Sequence, residues 1–166
     1  MNPIFKRYSV RRFSDEKVSD GQIQSLLKAG MQAPSACNQQ AWEFIVIEDD
    51  DDKLAISKMH RFAKPAGVAS KLIVVLGNLK NAKIESMLDQ DLGACCENIL
   101  LQATAEGLGA VWLGFHPIED RCLKLRQYLD IPDYCIPFAV ICVGYPAFES
   151  DVKSRFDKSK IHYDKY

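Results

Sequence analysis

Residues 86–115 read SMLDQDLGACCENILLQATAEGLGAVWLGF, and the remainder of the chain is organised around them. Leu88, Leu92, Cys95, Ile99 and Ala103 recur at helical spacing, with Cys96 and Leu100 widening the apolar stripe. Asp89, Asp91, Glu97, Gln102 and Glu106 fall mostly elsewhere around the wheel, so the spacing predicts a core helix over residues 86–106. Gly93-Ala94-Cys95-Cys96 is small all round, which lets another helix or another subunit approach the backbone closely. Gly107 is expected in the left-handed conformation that closes a helix, and Ala110-Val111-Trp112-Leu113 is an apolar run of strand length. The reading is helix, tight turn, buried strand. Gly114, at the carboxyl end of that strand, either leaves backbone N–H groups open to a flat ligand or serves only packing.

A chain of 166 residues, 48% hydrophobic and 26% charged, suits one domain spanning residues 1–166 that buries its own core. The net charge of -1 gives no reason to expect nucleic acid or an anionic membrane as partner. Its distribution says more. Residues 1–17 carry five Lys/Arg against two acids and residues 151–166 carry five against three, so both ends are basic in an otherwise acidic protein. If they converge they form a local anion site; solvated, charged termini are the plainer alternative. There is no apolar signal core and no run long enough to span a bilayer, which predicts a cytoplasmic protein. Six cysteines without a C-x-x-C pair suit small core positions in a reducing compartment. His60, His116 and His162 lack metal-ligand spacing, so no metal is expected.

Along the chain, Arg7-Tyr8-Ser9-Val10-Arg11 alternates, and in an extended segment Arg7, Ser9 and Arg11 point to one side, a grip suited to a phosphate or a polar ring edge. Ser19-Asp20 caps a helix with Ile23, Leu26, Leu27 and Met31 on its apolar face. The loop Pro34 to Ala41 is rich in amides, which either read the edge of a heteroaromatic ring or satisfy their own backbone. Strands are expected at 42–47, 72–76 and 137–144, with an acid-capped helix after Glu48 and a short helix over 117–129. Arg61-Phe62-Ala63-Lys64-Pro65, aromatic and basic, is placed to overhang a pocket. There is no G-x-G-x-x-G after a strand, no P-loop and no serine in a nucleophile elbow, so no catalytic side chain is nominated.

Taken together, Arg7-x-Ser9-x-Arg11, Ala33-Pro34-Ser35 with Asn38-x-Gln40-x-Trp42, Gly107-Leu108-Gly109 leading into Trp112-Leu113-Gly114, and Lys153-Ser154-Arg155 resemble the nitroreductase family of FMN-dependent oxidoreductases in its small form. The resemblance covers essentially the whole chain. It implies an α+β fold, an α-β-α sandwich with a central, mostly antiparallel sheet, and an intertwined homodimer with FMN at the subunit interface. By position, Arg7, Tyr8, Ser9 and Arg11 resemble the family's amino-terminal FMN contacts, joined by Lys153 and Arg155 from the carboxyl end. Pro34, Ser35, Asn38 and Gln40 resemble the loop that reaches the flavin from the partner subunit, and Leu113 and Gly114 the turn against the reactive N5. Ala41 departs from the proline common in the family before the tryptophan, and Arg61 to Pro65 match no substrate-contacting motif. The activity implied is ping-pong hydride transfer from NADH or NADPH through FMN to a nitroaromatic, quinone or similar small acceptor. The alternative is a flavin-binding redox sensor or FMN carrier without turnover.

Overall fold

In the computed structural model, which describes residues 2–149 and 154–166, four strands form one antiparallel sheet. They are β1 (Trp42–Ile47), β2 (Lys71–Asn78), β3 (Gly109–Gly114) and β4 (Cys135–Gly144), in the spatial order β1-β2-β4-β3. The helices are α1 (Pro3–Lys6), α2 (Asp20–Met31), α3 (Asp50–Ser57), α4 (Leu88–Ala105) and α5 (Glu119–Tyr128).

Every residue of β2 is buried, so the sheet is covered on both faces. Ile73, Val75 and Ile141 pack with Ile23 and Leu26 of α2 and with Leu92, Cys95 and Ile99 of α4. On the other face Leu72, Val74 and Val140 meet Ile56 of α3 and Leu125 of α5. The result is the expected α-β-α sandwich around an antiparallel sheet. Local chemistry fixes the element ends. Ser19 and Gln22 form a reciprocal capping box on α2, and the Asp49 carboxylate accepts from the N–H groups of Asp51 and Asp52 at the start of α3. α4 ends as its sequence predicts: Gly107 sits at φ 76°, its N–H donates to Thr104 O, and Leu108 N donates to Ala103 O at 2.8 Å, a Schellman closure.

Two glycines then shape the edge of the sheet. Gly109 and Gly144 lie directly opposite each other on β3 and β4. A Cβ on Gly109 would lie 2.6 Å from Val10, and one on Gly144 would lie 2.7 Å from Phe13. The amino-terminal segment therefore rests in a notch that only glycine leaves open. Val10 N donates to Ala110 O, Ser14 N to Tyr145 O and Ala147 N to Arg12 O, so the chain beyond β4 runs antiparallel to residues 12–14. Tyr8 Oη closes this junction on Phe148 O at 2.9 Å.

Candidate functional site

β3 is an edge strand, and the direction of its polar groups follows from its bonds. Val10 N bonds to Ala110 O from outside the sheet, while Phe115 N bonds inward to Phe138 O. By alternation the polar groups of Val111 and Leu113 turn towards β4, and those of Ala110, Trp112 and Gly114 turn outward. Gly114 O already accepts from Arg121 Nη1 at 2.9 Å, which leaves the Gly114 N–H as an outward donor at the end of the strand. A Cβ at Gly114 would meet nothing within 4 Å. Gly114 also lines a cavity of about 640 Å³, within the range of small-molecule sites.

Leu113 and Gly114 line this cavity with Arg11, so three of the predicted site residues are brought together in one chain. The opposite lip is the segment from His60 to Pro65, whose mixed basic and aromatic character in the sequence pointed to a pocket. Lys64–Val68 forms a short 3₁₀ turn with Pro65 and Ala66 buried. His60 Nδ1 accepts from Phe62 N, so Nε2 carries the proton, and that buried N–H has no partner among the described residues. Burial, aided by the charge of Arg121, holds His60 below the usual histidine pKa and so keeps it neutral. Arg121 was not anticipated from the sequence. It reads as one more surface cation of a short helix until the fold brings α5 under the Gly114 turn.

The remaining amino-terminal residues lie along the same edge. Ser9 bridges Ala110 in parallel, Arg11 Nη1 donates to Ser9 O at 3.2 Å, and Tyr8, Ser9 and Arg11 share a shallow second hollow with Arg12 and Phe148. Arg7 lies apart from the cavity, its Nε 3.4 Å from Glu97 Oε1 on α4. The Tyr8–Phe148 bond ties the amino-terminal segment to the chain just beyond β4. Arg155 is exposed, and Lys153 lies outside the described residues.

Pro34, Ser35, Asn38 and Gln40 are not among the residues lining the β3 cavity. Their loop is held from below by a residue that carries no signal in the sequence. Asp91, only 5% exposed on α4, accepts from Ala36 N at 2.9 Å and from Gln39 Nε2 at 2.6 Å, and Gln39 Oε1 accepts from Ile84 N. Ser35 Oγ accepts from Gln40 N, and Gln40 Nε2 donates to Asn38 Oδ1. Ser35 thus caps a backbone group of the loop, while the Gln39 amide bonds Asp91 and Ile84 and the Gln40 amide bonds Asn38. Cys37, Asn38 and Gln40 nevertheless all take positive φ, at 48°, 51° and 46°. Three non-glycine residues in the left-handed region within four positions is a strained loop kept in shape by its anchors.

Of the cysteines, Cys95, Cys96, Cys135 and Cys142 are buried and Cys37 is exposed. Burial pushes the Cys95 thiol up to about 12, so it carries no thiolate at neutral pH. Among the described residues no group of three or more His, Cys, Asp or Glu is placed to hold a metal, and no helix is long and apolar enough to cross a membrane.

The model of the nitroreductase family matches residues 4–67 and 68–145. An Archaeoglobus fulgidus protein, provisionally named NADH dehydrogenase/NAD(P)H nitroreductase, is 41% identical over 98% of this chain and 96% of its own length. The crystal structure of a provisionally named NADH oxidase from Clostridium acetobutylicum superposes with a TM-score of 0.96 at 44% identity, covering 99% of both chains. A structure from Desulfovibrio desulfuricans, provisionally named a nitroreductase and in complex with FMN, gives a TM-score of 0.85 at 30% identity over 99% of this chain and 95% of that one. With sequence, fold and the open Gly114 edge in agreement, the chain belongs to the nitroreductase family.

Proposed function

We propose that two copies of this chain bind FMN between them and run a ping-pong reaction in which NAD(P)H and then a small oxidant occupy the cavity beside β3 in turn. The chain is an FMN-dependent oxidoreductase that draws its electrons from NAD(P)H. The observation that carries the reading is the Gly114 N–H, an outward donor at the end of an edge strand, on a residue that lines a cation-lined cavity and whose Cβ position is open. When bound, FMN supplies the hydride chemistry, taking two electrons from the dinucleotide and passing them to a nitroaromatic, quinone or similar acceptor.

The chain's own residues orient and polarise. Gly114 N–H would donate to the flavin ring, and Arg121 fixes its peptide by holding Gly114 O. Leu113 presents an apolar side wall, and Arg11 brings positive charge to the ring end, which favours the electron-rich reduced cofactor. Arg7, Tyr8, Ser9 and Arg155 would hold the phosphate, and Lys153, outside the described residues, is assigned with them by sequence position. Pro34, Ser35, Asn38 and Gln40 belong to the loop that closes the site from the partner subunit.

A second copy is supported by what one chain leaves open. Residues 154–166 are exposed throughout, with Phe156 at 71% and Tyr163 at 83%, and Ile4 and Phe5 of α1 are exposed as well. Such apolar surface needs covering. Free cysteines suit a reducing compartment such as the cytoplasm.

The test is spectroscopic. The purified protein is expected to be yellow, with about one flavin per chain at an interface-built site. Anaerobic NADH or NADPH should bleach it, and a nitroarene or a quinone should restore the oxidised spectrum. An oxidised spectrum unchanged by both donors would sink the assignment.

A further inference from the structure

We propose that Arg61 and Lys64 form an anion-reading lip over the β3 cavity, selecting exchangeable ligands that carry a phosphate or carboxylate beside their flat redox-active ring. This rests on the reading of the cavity given above and names the ligand class that it accepts.

The argument is an accounting of cations. Arg11, Arg61, Lys64 and Arg121 line the cavity, and no carboxylate does so, in a chain whose net charge is -1. Two of the four have duties: Arg121 holds Gly114 O, and Arg11 is turned back onto Ser9 O. Among the described residues Arg61 and Lys64 form no ion pair. Arg61 lies 4.4 Å over the exposed ring of Phe62, which holds the guanidinium in place without neutralising it. The backbone beneath is fixed, since Ala63 and Ala66 are fully buried, Ala63 N bonds to His60 O and Ala66 N to Ala63 O. Two uncompensated cations on a rigid lip form a preorganised anion site.

The cofactor's own phosphate does not meet this demand. Arg11 lines both the cavity and the hollow that it shares with Tyr8, Ser9, Arg12, Phe148 and Glu149, but none of Tyr8, Ser9 and Arg12 lines the β3 cavity, and neither Arg61 nor Lys64 lines the hollow. The lip faces the ring end, where Gly114 and Leu113 lie, so the anion that it reads arrives with the ligand that comes and goes. Two ligands fit that chemistry: the diphosphate of a nicotinamide dinucleotide, and a carboxylate on the acceptor.

The experiment compares wild type with Arg61→Gln/Lys64→Gln in two measurements. In the first, inorganic pyrophosphate is titrated against tryptophan fluorescence, in apoprotein and holoprotein. Trp112 lines the cavity, whereas Trp42 is on β1 at the opposite edge of the sheet, so the signal reports the cavity. Rim charges each change affinity by a few-fold, so the double variant should weaken pyrophosphate by about 5- to 20-fold and flatten its salt dependence. In the second, the half-reactions of the holoenzyme are timed separately. A loss of that size in reduction by NADH or NADPH assigns the lip to the dinucleotide diphosphate. A loss confined to a carboxylated quinone, measured against its neutral isostere, assigns it to the acceptor, and losses in both assign it to both. Unchanged pyrophosphate affinity overturns the lip, as does equal loss for charged and neutral acceptors, or weakened FMN binding in place of these effects. A wild-type protein that takes no flavin defeats the proposed function instead, and the apoprotein titration then judges the lip alone.

Discussion

Along β3 a single chain completes one wall of a binding site: strand, notch, donor and cavity all come from residues packed on their own sheet. The loop Pro34–Gln40 is as firmly held, yet it is anchored to α4 through Asp91 and is not part of that cavity. Both regions are ordered, and only one meets the other's chemistry within the chain. The difference teaches that rigidity and completeness are separate properties. The loop takes three positive φ angles beside a buried carboxylate that holds Ala36 N and the Gln39 amide, and it leaves the β3 cavity untouched.

The strongest way to break that distinction is complementation. Gly114→Val puts a branched side chain into the open space at the Gly114 Cβ position, on the cavity wall, and Asn38→Asp alters the loop. If one wall and the other subunit's loop make each site, mixing the two inactive variants under exchange conditions should restore about a quarter of the wild-type FMN sites, because half of the dimers pair an intact wall with an intact loop. No recovery after demonstrated exchange would place wall and loop in the same chain's site.

Next in size is the anchor. Asp91→Ala leaves Ala36 N and the Gln39 amide without their acceptor and should lower unfolding free energy by roughly 3 kcal/mol in denaturant titration. The loop's contribution to FMN binding should fall with it. A loss under about 0.5 kcal/mol, the size of a neutral surface change, would mean that the anchor is not what shapes the loop.

Arg155→Met addresses the phosphate end. A charge-assisted hydrogen bond of roughly 1.5 to 3 kcal/mol implies ten- to a hundredfold weaker FMN, with riboflavin affinity nearly unchanged. Equal loss for the two ligands would refute the phosphate role.

The smallest effect belongs to the β3 wall. Because the His60 pKa is lowered in the folded chain, the unfolded chain binds the proton more readily. The stability that neutral His60 contributes is therefore whole above the ordinary value of 6.5 and is lost as pH falls from there towards the depressed folded pKa. His60→Phe, which keeps an aromatic ring against Phe115, should remove that part of the slope between pH 7 and 5. An unchanged slope would exclude His60 as its source.

What could be read from the chain beforehand follows the range of the interactions. The α4–Gly107–β3 unit was legible because stripe, cap and apolar run are local, and the Schellman bonds fall where the glycine put them. Leu113 and Gly114 were legible for the same reason. Arg121 and Asp91 were not, since each acts on a backbone group that only the fold brings near, Gly114 O in one case and Ala36 N in the other. The helix α1 was also missed: four residues carry too little periodicity to register. Ala41, whose departure from the family's proline bore on the loop's rigidity, is 1% exposed and follows Gln40 at φ 46°. A proline there would press its predecessor towards extended backbone, so alanine allows the turn, and Asp91 and Ser35 supply the rigidity.

The paired notch at Gly109 and Gly144 also sets an order of events on the ribosome. Val10 and Phe13 are made well before their seats, which lie on strands that end at Gly114 and Gly144. The segment that carries them must wait, undocked, until β4 has emerged, and Ser9 and Arg11 wait with it. A chain interrupted before residue 144 can build much of its hydrophobic interior and still lack the seat of Phe13, so docking of that segment becomes a sign that β4 is in place.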